Sequence, residues 1–342
     1  MGSHGRQVRV AAQEGGILLK IAIVVPTAIK LPVHGYSGIE REAQYLAEAL
    51  NRKGHEVKMY CSLDRDPDPV KYPWLRGAQN LISENDAFTY IDDLKAADVV
   101  HDFSHTKPLR MAKLENYLAT TMWTDIPAHR NVFPGNAVAA AFGRPGAAVV
   151  PLGLPVDTYP TVEDAGDYYI TAGRVAQYKG TDISIGIAKA HGAKLCVAGH
   201  TGAFAEAYYA MTMKKLCSSV GVKFMENPTD NEMMGLMRSA KGLIHMHRWL
   251  ESFSLVVAQA LCLGVPVLTS NIGTPQELVA MVDGGAVSPL PADGAFTTEI
   301  AEAFMSREYT LDERRKIAEK ARAFFDINRI ADIYLGIYRS VQ

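Results

Sequence analysis

Apolar residues along the chain fall into two kinds of segment: short continuous runs, and longer stretches spaced every three or four positions. The run 20–25, closed by Pro26, reads as a strand buried on both faces. A loop with Pro and Gly leads to Gly38. Ile39, Ala43, Leu46 and Leu50 then repeat at helical spacing, with Arg52 and Lys53 in the last turn and Gly54 as the stop. Further strands are expected at 56–60, 98–101, 117–123 and 147–150. A second series opens at 168–171 and continues at 194–198, 222–224, 242–246 and 266–269, with helical segments between. From Thr310 onward the pattern is helical, with a change of face near 325–328. The stretch 151–160 carries three prolines and one glycine and reads as the connection between the two series.

Strands alternating with helices build doubly wound parallel sheets. The expected fold class is therefore α/β, with two Rossmann-like domains facing across a cleft. The chain has 342 residues, which at roughly 150 per domain agrees with two. Expected boundaries are 18–155 for the first domain, 156–325 for the second and 326–342 for a final helix crossing back to the first. Residues 1–17 carry no periodic pattern and read as a tag or disordered leader. Ligands of such sheets bind beyond the carboxyl ends of the strands, beside helix N-termini, so the cleft is where chemistry is expected.

Composition narrows the partners. Lys+Arg number 35 against Asp+Glu 37, a net charge of −2, and the balance holds on both sides of residue 160. A broad basic face for nucleic acid is excluded, and any anion must be held by a local group of residues. The four cysteines (Cys61, Cys196, Cys217, Cys262) have no Cys-x-x-Cys spacing, so neither a zinc ribbon nor a redox dithiol is indicated. A reduced, cytoplasmic setting is the simplest expectation. The apolar run 17–25 is too short to span a bilayer and lacks signal-peptide flanks. Lys107, Arg110 and Lys113 suggest a small basic cluster that could meet an anionic acceptor or a membrane surface, so peripheral membrane contact enters as an expectation. An ordinary solvated helix face explains the same three residues.

Several catalytic signatures are missing from the sequence. No Gly-x-Gly-x-x-Gly follows either opening strand, and the segment from Gly173 to Lys179 lacks the glycine that a P-loop places before its lysine. His245 and His247 point the same way along one expected strand, but no Cys or carboxylate stands at ligand spacing, so no metal is expected. Asp64, Asp66 and Asp68 have Asp-x-Asp spacing but sit in a Pro-containing loop that reads as a solvated turn.

Three motifs stand where ligands would bind. Gly35-Tyr-Ser37-Gly38-Ile-Glu40-Arg41 lies between the first strand and its helix, where a glycine lets backbone approach a ligand and a helix start favours an anion. Gly173-Arg174, with Lys179, follows the first strand of the second series and offers two cations near the next helix start. Glu251-Ser252-Phe253-Ser254-Leu255 leads into a helix that carries Gln259, and Ser252 or Ser254 is expected to cap it. Taken singly, these also read as a plain turn, as solvated charges and as an acid favouring a helix dipole.

Together and in this order, the three motifs resemble family 4 retaining glycosyltransferases of the GT-B fold, from about Leu19 to the C-terminus. The connector Val150-Pro-Leu-Gly-Leu-Pro-Val-Asp157 is similar to the family's own. The resemblance implies that Arg174 and Lys179 grip a nucleotide diphosphate and that Glu251 contacts the donor sugar. Phe253, Ser254 and Leu255 would hold the donor through backbone amides, with Gly38 and Gly173 beside the phosphates. Gln259 replaces the family's second Glu, a ribose ligand; it keeps one acceptor but not the charge. The family's N-domain His falls at Phe103, which leaves His101 and His105 as candidates. Acceptor contacts are expected from loops 30–37, 101–107 and 124–130, including Thr124 and Asp125. The implied activity is retaining transfer of a hexose from a nucleotide-sugar donor, UDP-linked in preference to GDP- or ADP-linked, without cofactor or metal. The acceptor would be a glycan, lipid or small molecule. The alternatives are a nucleotide-sugar 2-epimerase and a catalytically weak nucleotide-sugar-binding protein.

Overall fold

The computed structural model describes residues 17–35, 37–65, 67–122, 130–142, 147–202, 206–292 and 297–341. Thr124, Asp125 and Asp66 lie outside them.

The first domain contains β1 (Lys20–Val24), α1 (Ile39–Arg52), β2 (Glu56–Cys61), β3 (Gln79–Asn80), α2 (Ile91–Ala96), β4 (Val99–Asp102), β5 (Tyr117–Thr120), β6 (Asn131–Phe133), α3 (Asn136–Ala141) and β7 (Ala148–Val149). Its parallel sheet has the order β3-β2-β1-β4-β5-β6-β7. The second domain contains β8 (Tyr168–Arg174), α4 (Thr181–Ala190), β9 (Lys194–His200), α5 (Glu206–Tyr208), α6 (Lys214–Cys217), β10 (Val222–Glu226), α7 (Asp230–Arg238), β11 (Leu243–His245), α8 (Leu255–Cys262), β12 (Val267–Ser270), α9 (Pro275–Val282), β13 (Gly285–Ser288), α10 (Glu299–Ser306) and α11 (Leu311–Phe325). Its sheet runs β10-β9-β8-β11-β12-β13, again all parallel. The last helix is α12 (Ile327–Val341).

Both sheets are thus wound outward in two directions, from β1 and from β8. The runs that read as buried strands are buried: Ile21, Ile23 and Val24 in β1, and Leu243 and Ile244 in β11. Strand ends differ from expectation by a few residues, and β5 stops at Thr120 rather than 123. The strands β3, β6 and β13 were not legible, because none of them holds more than two consecutive apolar residues.

The expected change of face near 325–328 is a break at Asp326, between α11 and α12. The connector fills it: Leu154 N donates to Phe325 O at 2.7 Å, and Ile327 N donates to Leu154 O at 2.9 Å. A Cβ on Gly153 would come within 2.4 Å of the Ile327 side chain, so only glycine lets the chain pass. From this joint α12 returns to the first domain, burying Ile330, Tyr334 and Tyr338 in a core shared with Leu46, Leu50 and Phe103. Across the domains, Glu277 of α9 accepts from Asn136 N at 2.9 Å and from Ala137 N at 2.5 Å at the start of α3.

One surface expectation is corrected here. Lys107 is buried, with its ammonium donating to the carbonyls of Asp102, at 3.2 Å, and Ser104. Only Arg110 and Lys113 of the suggested basic cluster face water. Among the described residues no helix is long and apolar enough to cross a membrane.

Candidate functional site

In a doubly wound sheet, the loops leaving two adjacent strands part at the point where the winding reverses, and they leave a crevice. Here the reversals lie between β1 and β4 and between β8 and β11. A cleft of about 640 Å³ lies between the domains, within the range of small-molecule sites. From the first domain it is lined by Gly35, Ser37, Gly38, Arg41 and Tyr45. From the second it is lined by Gly173, Arg174, Lys179, Glu251, Ser252, Phe253, Ser254, Leu255 and Gln259. The three motifs, far apart in sequence, meet there.

The charged end is built on an ion pair. Lys179 and Glu251 form a salt bridge with both side chains largely buried, and the Trp249 indole N–H donates to Glu251 Oε2 at 2.9 Å. Burial opposes ionisation of Glu251 and is the largest single influence. The Lys179 ammonium and its hydrogen bond, with smaller contributions from His247 and the Trp249 indole, outweigh it together and hold the carboxyl below its ordinary range. Arg174 donates from Nη1 to the Tyr178 hydroxyl at 3.1 Å. The loop bearing Lys179 approaches the end of β11 because Gly180, at φ +64°, leaves no room for a side chain: a Cβ there would fall 1.7 Å from Met246 O.

α8 starts at this end of the cleft; Val257 N donates to Ser254 O at 3.1 Å, and helix geometry leaves the Leu255 and Val256 amides without intrahelical partners. The expected serine cap is not made. Ser254 is the N-cap residue but sits in the left-handed region at φ +76°, and its hydroxyl faces His245 Nε2 at 3.2 Å instead of a helix amide. The left-handed turn points the side chain back toward β11, away from the α8 amides. Phe253 is buried against Phe325, with ring centroids 5.9 Å apart, so only its backbone can serve a ligand. Gln259 lies one turn along α8 on the cleft side.

On the first-domain side the outcome departs from expectation. His101 is fully buried: Nδ1 is 2.7 Å from the Tyr338 hydroxyl and Nε2 is 2.7 Å from Thr120 Oγ1. Burial, with Lys107 adding to it, pushes its pKa well below the usual histidine range. Neither His101 nor His105 lines the cleft. His105 is partly buried, and its backbone N–H is bound by Glu84 at 2.8 Å. Phe103, at the position of the resembling family's His, packs on the His101 ring at 4.1 Å. For His101 the cause is α12, whose Tyr334 and Tyr338 cover its ring. What reaches the cleft instead is Arg41, which bridges to Asp230 at the start of α7 with distances of 2.9 and 3.1 Å. Asp230 was missed, although it lies just beyond β10, where the strand-end rule says to look; His200 at the end of β9 was missed in the same way.

Two further histidines stand at the end of β11, and His245 lines the cleft. The rings of His245 and His247 are 5.0 Å apart, and His247 Nε2 lies 2.7 Å from the Ile272 carbonyl. Among the described residues no three His, Cys, Asp or Glu side chains gather to hold a metal ion. Asp64 and Asp68 are exposed.

The family model of glycosyl transferases group 1 matches residues 161–324, from just before β8 to the end of α11. No curated protein sequence matches the chain. Among solved structures, AviGT4, a glycosyltransferase involved in avilamycin A biosynthesis, is similar at TM-score 0.75 and 24% identity, covering 94% of this chain and 98% of its own. Sucrose-phosphate synthase from Thermosynechococcus elongatus is similar at TM-score 0.75 and 16% identity, over 94% and 99%. HepE of Anabaena, solved in complex with UDP-glucose, is similar at TM-score 0.74 and 15% identity, over 94% and 100%. The architecture is therefore GT-B, two Rossmann-like domains across a cleft.

Proposed function

We propose that the chain is a glycosyltransferase that moves a hexose, with retention at the anomeric carbon, from a nucleotide diphosphate sugar to an acceptor hydroxyl. The observation that carries this reading is the convergence of Arg174, Lys179, Glu251 and the start of α8 at one end of the cleft. The costly part of the reaction is departure of a diphosphate on which negative charge develops. Fixed donors placed there stabilise the transition state more than the ground state. Arg174, Lys179 and the α8 amides supply such donors, and the reading gives a metal no role. Glu251, held ionised by Lys179, accepts hydrogen bonds from sugar hydroxyls. Gln259 meets the ribose as a neutral donor and acceptor.

The acceptor enters from the first-domain side, past Ser37, Arg41 and Tyr45. Bridging of the domains by Arg41 and Asp230 narrows the cleft and helps exclude water, which would otherwise hydrolyse the donor. A UDP-linked donor is favoured over GDP- or ADP-linked ones, in line with the UDP-glucose bound by HepE. A thermal-shift screen with UDP-, GDP- and ADP-sugars tests the donor, since a bound ligand raises stability by mass action. The double substitution Arg174→Ala and Lys179→Ala is expected to lower kcat/KM by at least about a hundredfold. Unchanged transfer would remove both residues from the mechanism.

A further inference from the structure

Behind the charged end of the cleft, two half-buried aromatic side chains that do not line it touch all three of its ionic groups. Tyr178 accepts from Arg174 at 3.1 Å. Trp249 donates to Glu251 at 2.9 Å. The Lys179 ammonium lies 5.1 Å from the Trp249 ring centroid and 5.8 Å from that of Tyr178, and the two rings meet at 5.1 Å, tilted by 59°. The segments that carry them are stapled together. Arg248 N donates to Tyr178 O at 2.8 Å, and the Arg248 guanidinium grips both Asp182 oxygens, at 2.7 and 2.6 Å, and Gln177 O at 2.9 Å.

We infer that Tyr178 and Trp249 are positioning residues, an aromatic bracket that sets Arg174, Lys179 and Glu251 in register before the donor arrives. Lysine carries a flexible four-carbon stem, and an ammonium without a fixed surrounding would sample many positions. The two ring faces attract it, while the indole N–H fixes the carboxylate it pairs with. A preorganised set reacts without first reorienting its charges. The part of this inference that concerns catalysis rests on the glycosyl-transfer reading above; the bracket itself rests on the contacts.

Trp249→Phe keeps a ring for Lys179 and removes only the donor to Glu251. The charged or titratable groups facing that carboxyl are Lys179, from the loop after β8, and His247, beyond β11. Loss of the indole donor therefore raises the Glu251 pKa, which carbon-13 NMR of the unliganded protein reads directly. An unchanged carboxyl titration in a folded Trp249→Phe protein overturns the inference, whatever the enzyme acts on. With a UDP-sugar donor, the same variant is expected to lose about tenfold in kcat/KM, with the acid limb of its pH profile moved to higher pH. A general packing defect would lower the active fraction without moving that limb. Tyr178→Phe removes one hydrogen bond from Arg174 and is expected to raise the donor KM several-fold, with kcat little changed. Trp249→Leu, which removes ring and donor together, should be worse than Trp249→Phe. If the wild type neither binds nor converts any UDP-, GDP- or ADP-sugar, the transfer reading fails, and the titration still judges the bracket.

Discussion

Among the buried glutamates, Glu42 of the first domain and Glu251 of the second are treated in opposite ways. Glu251 in the second domain is 6% exposed, is paired with Lys179, is hydrogen-bonded by Trp249 and opens onto the cleft. Glu42 on α1 is 2% exposed, and neither of its oxygens has a hydrogen-bond partner among the described residues. Its electrostatic neighbours are Lys107 and the hydroxyls of Tyr334 and Tyr338 on the returning helix α12. Glu251 is held below the ordinary carboxyl range, whereas burial, only partly offset by Lys107, pushes Glu42 well above it. Burial of an acid is therefore no sign of function by itself. A charge kept ionised by a partner, at a place a ligand can reach, is a different object from a carboxyl left to neutralise inside a domain.

The strongest way to break this contrast is to strip Glu251 of its partner. Lys179→Ala leaves a buried, uncompensated charge and should destabilise the protein by about 3 kcal/mol at neutral pH, measured by urea unfolding. The depressed Glu251 pKa contributes stability above the unfolded carboxyl pKa, and this is lost as pH falls through the folded value, so the gap to wild type should narrow on acidification. A loss well under 1 kcal/mol would mean that the pair is effectively solvated.

Glu42→Gln tests the opposite case and is expected to stabilise the protein by roughly 1–2 kcal/mol at neutral pH. A carboxyl whose folded pKa is raised costs nothing below its unfolded pKa. The cost grows as pH rises toward the folded value, so the variant's advantage should vanish near about pH 4. An equal advantage at both pH values would point to packing rather than charge.

His101 sharpens the comparison at milder pH. Its folded pKa is depressed, so it keeps the folded state neutral while the unfolded chain takes up a proton. Stability should fall as pH drops below about 6.5, by up to roughly 1.4 kcal/mol per pH unit. His101→Gln should flatten part of that slope in Tm against pH, and an identical slope would mean that His101 does not cause it. The smallest effect is expected at Ser254. Ser254→Gly relieves left-handed strain of about 1 kcal/mol and loses the contact to His245, so the net gain in calorimetric stability should stay below that figure.

Much of the cleft lining was readable because strand ends announce themselves. Gly38 follows β1, Arg174 ends β8 and Glu251 comes soon after β11, and each strand showed as an apolar run closed by a loop. Gln259 sits one turn beyond Leu255, so its place on the same helix face follows from helix geometry. His101 and Lys107 could not be placed this way. Their burial comes from contacts with residues distant in sequence or from the fold of an irregular loop: Tyr338 for His101, and the carbonyls of Asp102 and Ser104 for Lys107. The Arg41–Asp230 bridge likewise joins residues 189 positions apart.

Local pattern alone specified the alternation of strands and helices, the two-domain division and the loops where a ligand could bind, because hydrophobic periodicity is a property of neighbouring residues. Only the folded chain settled which polar groups share a cleft and which are sealed inside. That outcome turns on the winding reversal of each sheet, the glycine joint at Gly153 and the return of α12. Each brings together residues from distant parts of the chain, and a buried charge is kept ionised or driven neutral by whatever partner arrives beside it.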